Sequence, residues 1–342
     1  MKAVILAGSQ DYGQCPLGLV APRPLAPVLN KSLLWHTLSR LKEAGASRVV
    51  LCANGHTEMM GRLFGRGEEF GLELRYSEDQ MPRGPAGCVR DVVVIEGSVL
   101  CLTDLRALLD RHRRSGAVVS IAVSQQQPAS DNGTGSVPAG IYVFAPRAIE
   151  YIKPYGYEDI KEKLLRRLYE AGEKVILQPI DGPTWRITGP ESYLEVSGRA
   201  LEMLTTGQMR PERYISRDGQ VWVHPSSQVA ETACIIGPVM IGPRCVIDAE
   251  AVLVGPTCIG ADCRIGQAAV VSRSVLWNEV HVCSASEVDQ AVLTHGVQVP
   301  ERAVVRRAVC IDRPLDVAET LVLRRMKYDV VSWPRPTQAR TA

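Results

Sequence analysis

Two hydrophobic rhythms divide the chain. In the first part, short apolar runs alternate with amphipathic stretches. Ala3 to Leu6 is apolar and empties into a polar loop at Gly8, and Arg48-Val-Val-Leu-Cys52 reads as a buried strand. Between them Leu33, Leu34, Leu38 and Leu41 recur at helical spacing, with Asn30 placed to cap the helix and Gly45 to stop it. Residues 1–52 therefore predict a βαβ unit. Gly71 to Tyr76, Ala117 to Val123 and Pro138 to Phe144 predict further strands. Asp159 to Ala171 predicts a helix with Ile160, Leu164, Leu165 and Leu168 inward. This pattern is that of a Rossmann-like α/β layer.

From residue 223 the period changes to six. Val223, Val229, Ile235, Ile241, Ile247, Leu253, Ile259, Ile265 and Val271 are nine aliphatic residues in unbroken register. Four residues after each comes Ser227, Ala233, Val239, Cys245, Ala251, Thr257, Cys263, Ala269 or Val275, nearly all small. One large and one small inward residue per short strand, with a turn between, builds a three-sided parallel coil of about 18 residues. After Val275 the register loosens. Val280, Val282, Val288, Val292 and Val297 predict further coils to about residue 312, then a helix from Asp316 to Lys327 and a loose tail from Trp333. The expected organisation is thus an α/β domain at 1–204, a linker at 205–222, a β-helix at 223–312, and a capping helix with tail at 313–342.

Composition narrows the class. The 342 residues are 46% hydrophobic and 22% charged, as in a soluble globular protein. A net charge of +2 makes no case for nucleic acid or an acidic membrane surface. No apolar run approaches the roughly 20 residues that span a bilayer, and the chain enters a strand at once without a signal-peptide layout. The ten cysteines form no C-x-x-C pair, and several fill small repeat positions, so reduced structural thiols in a cytoplasmic protein are expected. His36, His56 and His112 have no partner at metal spacing, and Arg111-His-Arg-Arg114 reads as a solvated helix end.

The chemistry sits in the loops. Leu6-Ala-Gly-Ser-Gln-Asp-Tyr-Gly-Gln-Cys-Pro-Leu17, continued by Pro22-Arg-Pro-Leu25, resembles the sugar-nucleotide pyrophosphorylase signature L-A-G-G-x-G-T-R-L-x-P-L, with its later P-K-P-L. Leu6, Ala7, Gly8, Pro16, Leu17, Pro22, Pro24 and Leu25 match. Ser9, Asp11, Tyr12, Gly13 and Arg23 replace two glycines, the threonine, the arginine and the lysine. Ser77 to Gly87 is similar to the family's S-E-x-x-x-P-L-G-T-A-G, matching at Glu78, Gly84, Ala86 and Gly87 but with Pro85 for a threonine. Pro138-Ala-Gly-Ile-Tyr-Val-Phe144 resembles N-A-G-I-Y-V-F. Trp185 to Leu194 resembles W-x-D-I-G-T-P-E-D-Y-L, and counting back from Tyr193 puts Arg186 on a magnesium-binding aspartate. The period-six region resembles the family's hexapeptide-repeat, left-handed parallel β-helix. The run ending Thr103-Asp-Leu-Arg106 resembles L-V-x-N-G-D-x-L-T-D-x-D-L-R with about half a dozen residues missing. Either Asp104 is the metal aspartate, or N-G-D is deleted and Asp104 is an ordinary helix cap, the reading the match favours.

The resemblance is closest to the mannose-1-phosphate guanylyltransferase and glucose-1-phosphate nucleotidyltransferase branch. It implies nucleotide contacts at Leu6, Ala7, Gly8, Ser9, Glu78, Gly84, Ala86 and Gly87, and sugar contacts at Gly140 and Arg23. The degenerate catalytic positions are Gly13, Arg23 and Arg186. The family reaction joins two polyanions and depends on cations at the reacting phosphorus. With these replacements, the expectation is a catalytically impaired protein that binds a nucleotide or nucleotide sugar and regulates or scaffolds. It would act as a homo-oligomer, or as a hetero-oligomer with an active paralogue. Magnesium would be needed only if the chain is an active nucleotidyltransferase using Arg23 and Arg186. A third possibility is a β-helix acyltransferase with His281 or His295 as base.

Overall fold

A computed structural model describes residues 2–8, 16–78, 93–124, 137–152, 160–211, 213–313 and 329–332. By its internal contacts the chain forms two compact units. The first comprises Met1–Gln10, Pro22–Leu25 and Ser32–Arg186; the second comprises Asp11–Ala21, Ala26–Lys31 and Ile187–Ala342.

Along the chain come β1 (Lys2–Leu6), the short pair β2 (Pro27–Val28) and β3 (Lys31–Ser32), α1 (Leu33–Glu43), β4 (Arg48–Cys52), α2 (Thr57–Phe64) and β5 (Glu73–Ser77). Then follow β6 (Val93–Glu96), β7 (Val99–Cys101), α3 (Leu105–Ser115), β8 (Val119–Ser124) and β9 (Val137–Phe144). The alternating part ends with α4 (Leu165–Glu170), β10 (Val175–Pro179), β11 (Thr184–Arg186) and α5 (Pro190–Thr205).

Seven strands of the first unit form one sheet in the order β10-β8-β9-β6-β1-β4-β5. The central strand β1 pairs in parallel with both β4 and β6, and β9 runs antiparallel to β6 and β8. Its apolar run is explained by burial on both faces. Ala3 and Ile5 pack with Leu34, Leu38 and Leu41 of α1, whereas Val4 and Leu6 join Val94, Phe144, Leu164 and Leu168 on the other side. The strand alternation sends successive side chains to opposite faces, so one short run supplies two cores.

Helix α1 is where expected, but its cap is not Asn30. Ser32 accepts the Trp35 amide at 3.1 Å and is the N-cap. Asn30 lies at φ 61° in the turn between β2 and β3, and its amide group is spent elsewhere. Helix α4 is entered through a wide π turn at Ile160–Leu164, and Ile160, Leu164 and Leu168 are buried as the pattern predicts, while Leu165 is half-buried.

In the second unit the period-six region forms three parallel sheets, one per side of a β-helix. The inward columns are Val223-Ile241-Ile259-Leu276-Leu293-Cys310, Val229-Ile247-Ile265-Val282-Val299 and Ile235-Leu253-Val271-Val288-Val305. What looks like loosening after Val275 is a second strict register. Partners are 18 residues apart up to Leu253↔Val271 and 17 apart from Ile259↔Leu276 onward. One corner has lost a residue, since Gly255-Pro256 gives way to Arg273 alone, then to Gln290 and Arg307. Those three residues have φ of 47°, 50° and 48°, so a single left-handed residue turns the chain there.

One outer face of the coil is apolar, with Trp222, Met240, Cys258 and Val275 buried. Helix α5 packs on this sheet, and Gly198 lets it close to Pro256. That is why the contact boundary falls after Arg186, whereas the sequence pattern would end the first part at 204. The expected linker also contains a strand, Ile215–Arg217, paired antiparallel with Val221–Val223. The predicted helix from Asp316 to Lys327 and the tail from Trp333 lie outside the described residues; the four residues Asp329–Ser332 add a final parallel strand.

Candidate functional site

Leu6, Ala7 and Gly8 lie at the carboxyl end of the central strand of the first unit. The β1 ladder runs past Leu6, because the Ala7 and Gly8 amides both donate to the Cys52 carbonyl, at 2.9 and 2.7 Å. Those two N–H groups are thus spent within the fold. Gly8 must be glycine, since a Cβ there would stand 2.6 Å from the Ala53 carbonyl carbon. Gly97 plays the same part beside it, where a Cβ would meet Pro24 at 2.8 Å and the Leu6 carbonyl at 2.9 Å. The close approach seats the single turn Arg23–Leu25 over the ends of β1 and β6, with Arg23 half-buried. Glu78 is exposed just beyond β5. Ser9, Gly13, Gly84, Ala86 and Gly87 lie outside the described residues.

The polar centre of this region is Glu96, the last residue of β6. Arg186 pairs with it through Nη1 to Oε2, and the Tyr142 hydroxyl donates to Oε1 at 3.0 Å. The side chains are only 20% and 33% exposed, so the pair is partly shielded from water. Gly140, at φ 74°, completes the arrangement, because a Cβ on it would lie 2.8 Å from Arg186 Nη2 and 3.3 Å from Glu96 Cδ. The glycine expected to meet sugar thus lies against this ion pair.

Strands β7 and β11 pair antiparallel with Arg186 opposite Val99, so Ser98 flanks the position facing Arg186. Counting back without a gap from Asp104-Leu105-Arg106 places Glu96, Gly97 and Ser98 on the family's N-G-D. On that count nothing is deleted, and the two positions that carry metal-binding aspartates in the resemblance fall on Ser98 and Arg186. Asp104 is committed elsewhere, accepting the Arg106 and Ala107 amides at 2.9 and 3.0 Å as the N-cap of α3. Sequence reasoning missed Glu96 and Ser98 because only Gly97 of the three matches N-G-D, and Asp104 is the next aspartate in the run. A gapless count would have found them.

The residues at Ser98 and Arg186 do not fit magnesium. A hard cation wants several oxygen ligands, and a guanidinium has donors only. Among the described residues no group of three His, Cys, Asp or Glu side chains could hold a metal. The histidines of the β-helix are not gathered at a site either. His281 lies on an outward strand position and His295 follows Val292–Leu293 on another side; both are exposed, and the His295 ring lies 4.9 Å from that of Trp277.

An α/β sheet with loops at its carboxyl edge, followed by a β-helix, is the arrangement that the resemblance to sugar nucleotidyltransferases implies. Comparison with known proteins agrees. Residues 2–136 match the nucleotidyl transferase family and residues 217–314 match the GMPPB C-terminal domain. These two matches support placement in the sugar-nucleotidyltransferase family. It is 28% identical over 275 residues to mannose-1-phosphate guanylyltransferase of Mycobacterium tuberculosis, covering 71% of this chain and 75% of that protein. It is 26% identical over 276 residues to mannose-1-phosphate guanylyltransferase catalytic subunit beta of Dictyostelium discoideum, covering 71% and 72%. A solved structure from Bacillus anthracis, described as a glucose-1-phosphate thymidylyltransferase, superposes with a TM-score of 0.50 at 18% identity. It covers 58% of this chain and 95% of that one, and speaks to the fold alone. Among the described residues no helix is long and apolar enough to cross a membrane.

Proposed function

We propose that this chain is a non-catalytic member of its family that binds a nucleotide sugar and acts as a regulatory or scaffolding subunit in the cytoplasm. The observation that carries this reading is the Glu96–Arg186 pair, with Arg186 and Ser98 at the positions where the resemblance puts two metal-binding aspartates. Transfer of a nucleotidyl group to a sugar 1-phosphate brings two polyanions together, and its barrier falls through positioning and cationic neutralisation. Losing one such contact commonly costs ~10²-fold or more in rate. Here a divalent cation has given way to an internal, electrically neutral pair. A neutral pair keeps the local fold filled without supplying net positive charge to a transition state. The active alternative asks Arg186 to face a substrate phosphate, and Glu96 already engages it. No observation favours acyl transfer.

The test is direct. The purified protein, given GTP, mannose 1-phosphate and magnesium, is expected to release no pyrophosphate above background. It is expected to bind GDP-mannose in calorimetry equally with and without magnesium. Turnover by the wild-type chain overturns the reading. Replacing Glu96→Asn, Ser98→Asp and Arg186→Asp together is expected to create magnesium binding where none exists; failure of the triple variant to bind the ion, although folded, would mean that the positions were matched wrongly.

A further inference from the structure

Within the first unit, one strand end gathers a carboxylate, a guanidinium and a phenol. Leu6 of β1 pairs with Glu96 of β6, and Ile95 pairs with Ile141 of β9. Glu96 therefore stands across from Gly140, and Tyr142 lies two residues further along β9, on the same face of the sheet. Both Glu96 oxygens are engaged from within the unit. The Tyr142 hydroxyl donates to Oε1 at 3.0 Å, and Arg186 Nη1 donates to Oε2. The side chains of the pair are still 20% and 33% exposed, so part of each faces outward. A Cβ on Gly140 would meet Arg186 Nη2 and Glu96 Cδ, so the pair lies over the glycine. A ligand arriving at this strand end meets the two charged side chains.

The chemistry of that surface is selective. A carboxylate only accepts hydrogen bonds and a guanidinium only donates them. Side by side they offer a hydroxyl both of its roles, and two neighbouring hydroxyls can share the two groups. A phosphate oxygen can use only the guanidinium half, and to reach it must approach a carboxylate of its own sign. The pair is electrically neutral, so it does not offset the loss of water around a dianion. We propose that Glu96 and Arg186 read adjacent hydroxyls on the sugar of a nucleotide sugar, and do not hold its phosphates. Tyr142 is then the positioning residue that braces the carboxylate. This rests on the nucleotide-sugar reading above and says which part of that ligand the pair meets.

Glu96→Gln decides between the two parts of the ligand, because it keeps the shape of the side chain and removes its charge. GDP-mannose and GDP are titrated by calorimetry into wild type, Glu96→Gln and Tyr142→Phe, each checked for folding by circular dichroism. Wild type is expected to bind GDP-mannose about tenfold tighter than GDP, the scale of one hydrogen bond to a charged group. Glu96→Gln should shrink that gap to about twofold by weakening GDP-mannose alone. Tyr142→Phe should narrow it by less, again with GDP unchanged, since the carboxylate stays but loses its brace. If Glu96→Gln binds GDP several-fold tighter, Glu96 was holding Arg186 away from a phosphate, and the assignment is overturned. A gap that survives Glu96→Gln overturns it too, as does a wild type that binds both ligands equally; in either case the nucleotide-sugar reading still stands. If wild type binds neither, that reading fails and the assignment falls with it. Should Glu96→Gln fail to fold, Arg186→Lys replaces it, keeping the charge and losing the planar fork. It should narrow the gap and leave GDP unchanged, and an unchanged gap or a weakened GDP overturns the assignment.

Discussion

Gly140→Ala tests the centre of the site through stability alone. At φ 74° an L-residue pays the left-handed penalty of about 1–2 kcal/mol. The new methyl would also stand 2.8 Å from Val99 Cγ2 and from Arg186 Nη2. Val99 is buried in β7 and has little freedom to yield, whereas the Arg186 end can swing away only by leaving Glu96. Overpacking of this kind costs about 1–3 kcal/mol, so the sum is about 2–5 kcal/mol. Urea denaturation of wild type, Gly140→Ala, Arg186→Ala and the double variant measures it. With the guanidinium gone one clash disappears, and the cost of Gly140→Ala should fall by about 1 kcal/mol while the backbone and Val99 parts remain. A single variant within about 0.5 kcal/mol of wild type refutes the packing argument. A cost that rises in the Arg186→Ala background refutes the idea that this glycine exists to seat the pair.

Other parts of the molecule give independent checks. Tyr193→Phe strands the Trp277 indole N–H and the Pro27 carbonyl, and should cost about 2–4 kcal/mol in chemical denaturation; a loss below about 1 kcal/mol would mean that water replaces the hydroxyl. His112 is buried with Nδ1 2.7 Å from the Ser120 hydroxyl, and burial lowers its pKa. The unfolded chain then takes up a proton that the folded chain refuses, so stability should fall as pH drops below about 6.5 and level off past the lowered folded value. His112→Asn should flatten that part of the melting-temperature profile, and an unchanged slope would contradict it. Gly260→Ala would drive a Cβ to 2.7 Å from the Trp277 backbone, so the β-helix should lose about 3 kcal/mol or more in thermal or urea melts. Burial raises the Cys258 and Cys310 thiols to about 12 and Cys101 to about 11, whereas Cys234 is exposed. Mass mapping after brief alkylation of folded protein should therefore mark Cys234 and spare those three.

Much of the fold was legible because its signals are local and repeated. The apolar runs of β1 and β4 around an amphipathic α1 specify a βαβ unit, and nine aliphatics at one spacing specify the coil. The miscounts have physical causes. A coil corner can turn on one left-handed residue in place of Gly-Pro, and the strict six-residue count then breaks although the stack does not. Asn30 and Ser32 are both good caps by type, and the hairpin's need for a left-handed residue decided between them. The site was legible only as a list of losses. Arg186 was visible as a replacement, but its partner Glu96 stands 90 residues away with no pattern linking them.

The sequence by itself determined the family frame, the two rhythms and the replacement of charged positions in the loops, since each depends on residue types at short, fixed spacings. Tertiary structure alone decided that Val99 lies opposite Arg186, that Glu96 neutralises Arg186, and that α5 and segment Ala26–Lys31 group with the β-helix. Those facts depend on strand register and on apolar faces finding cover. Both are resolved only when residues distant in the chain compete for the same contacts.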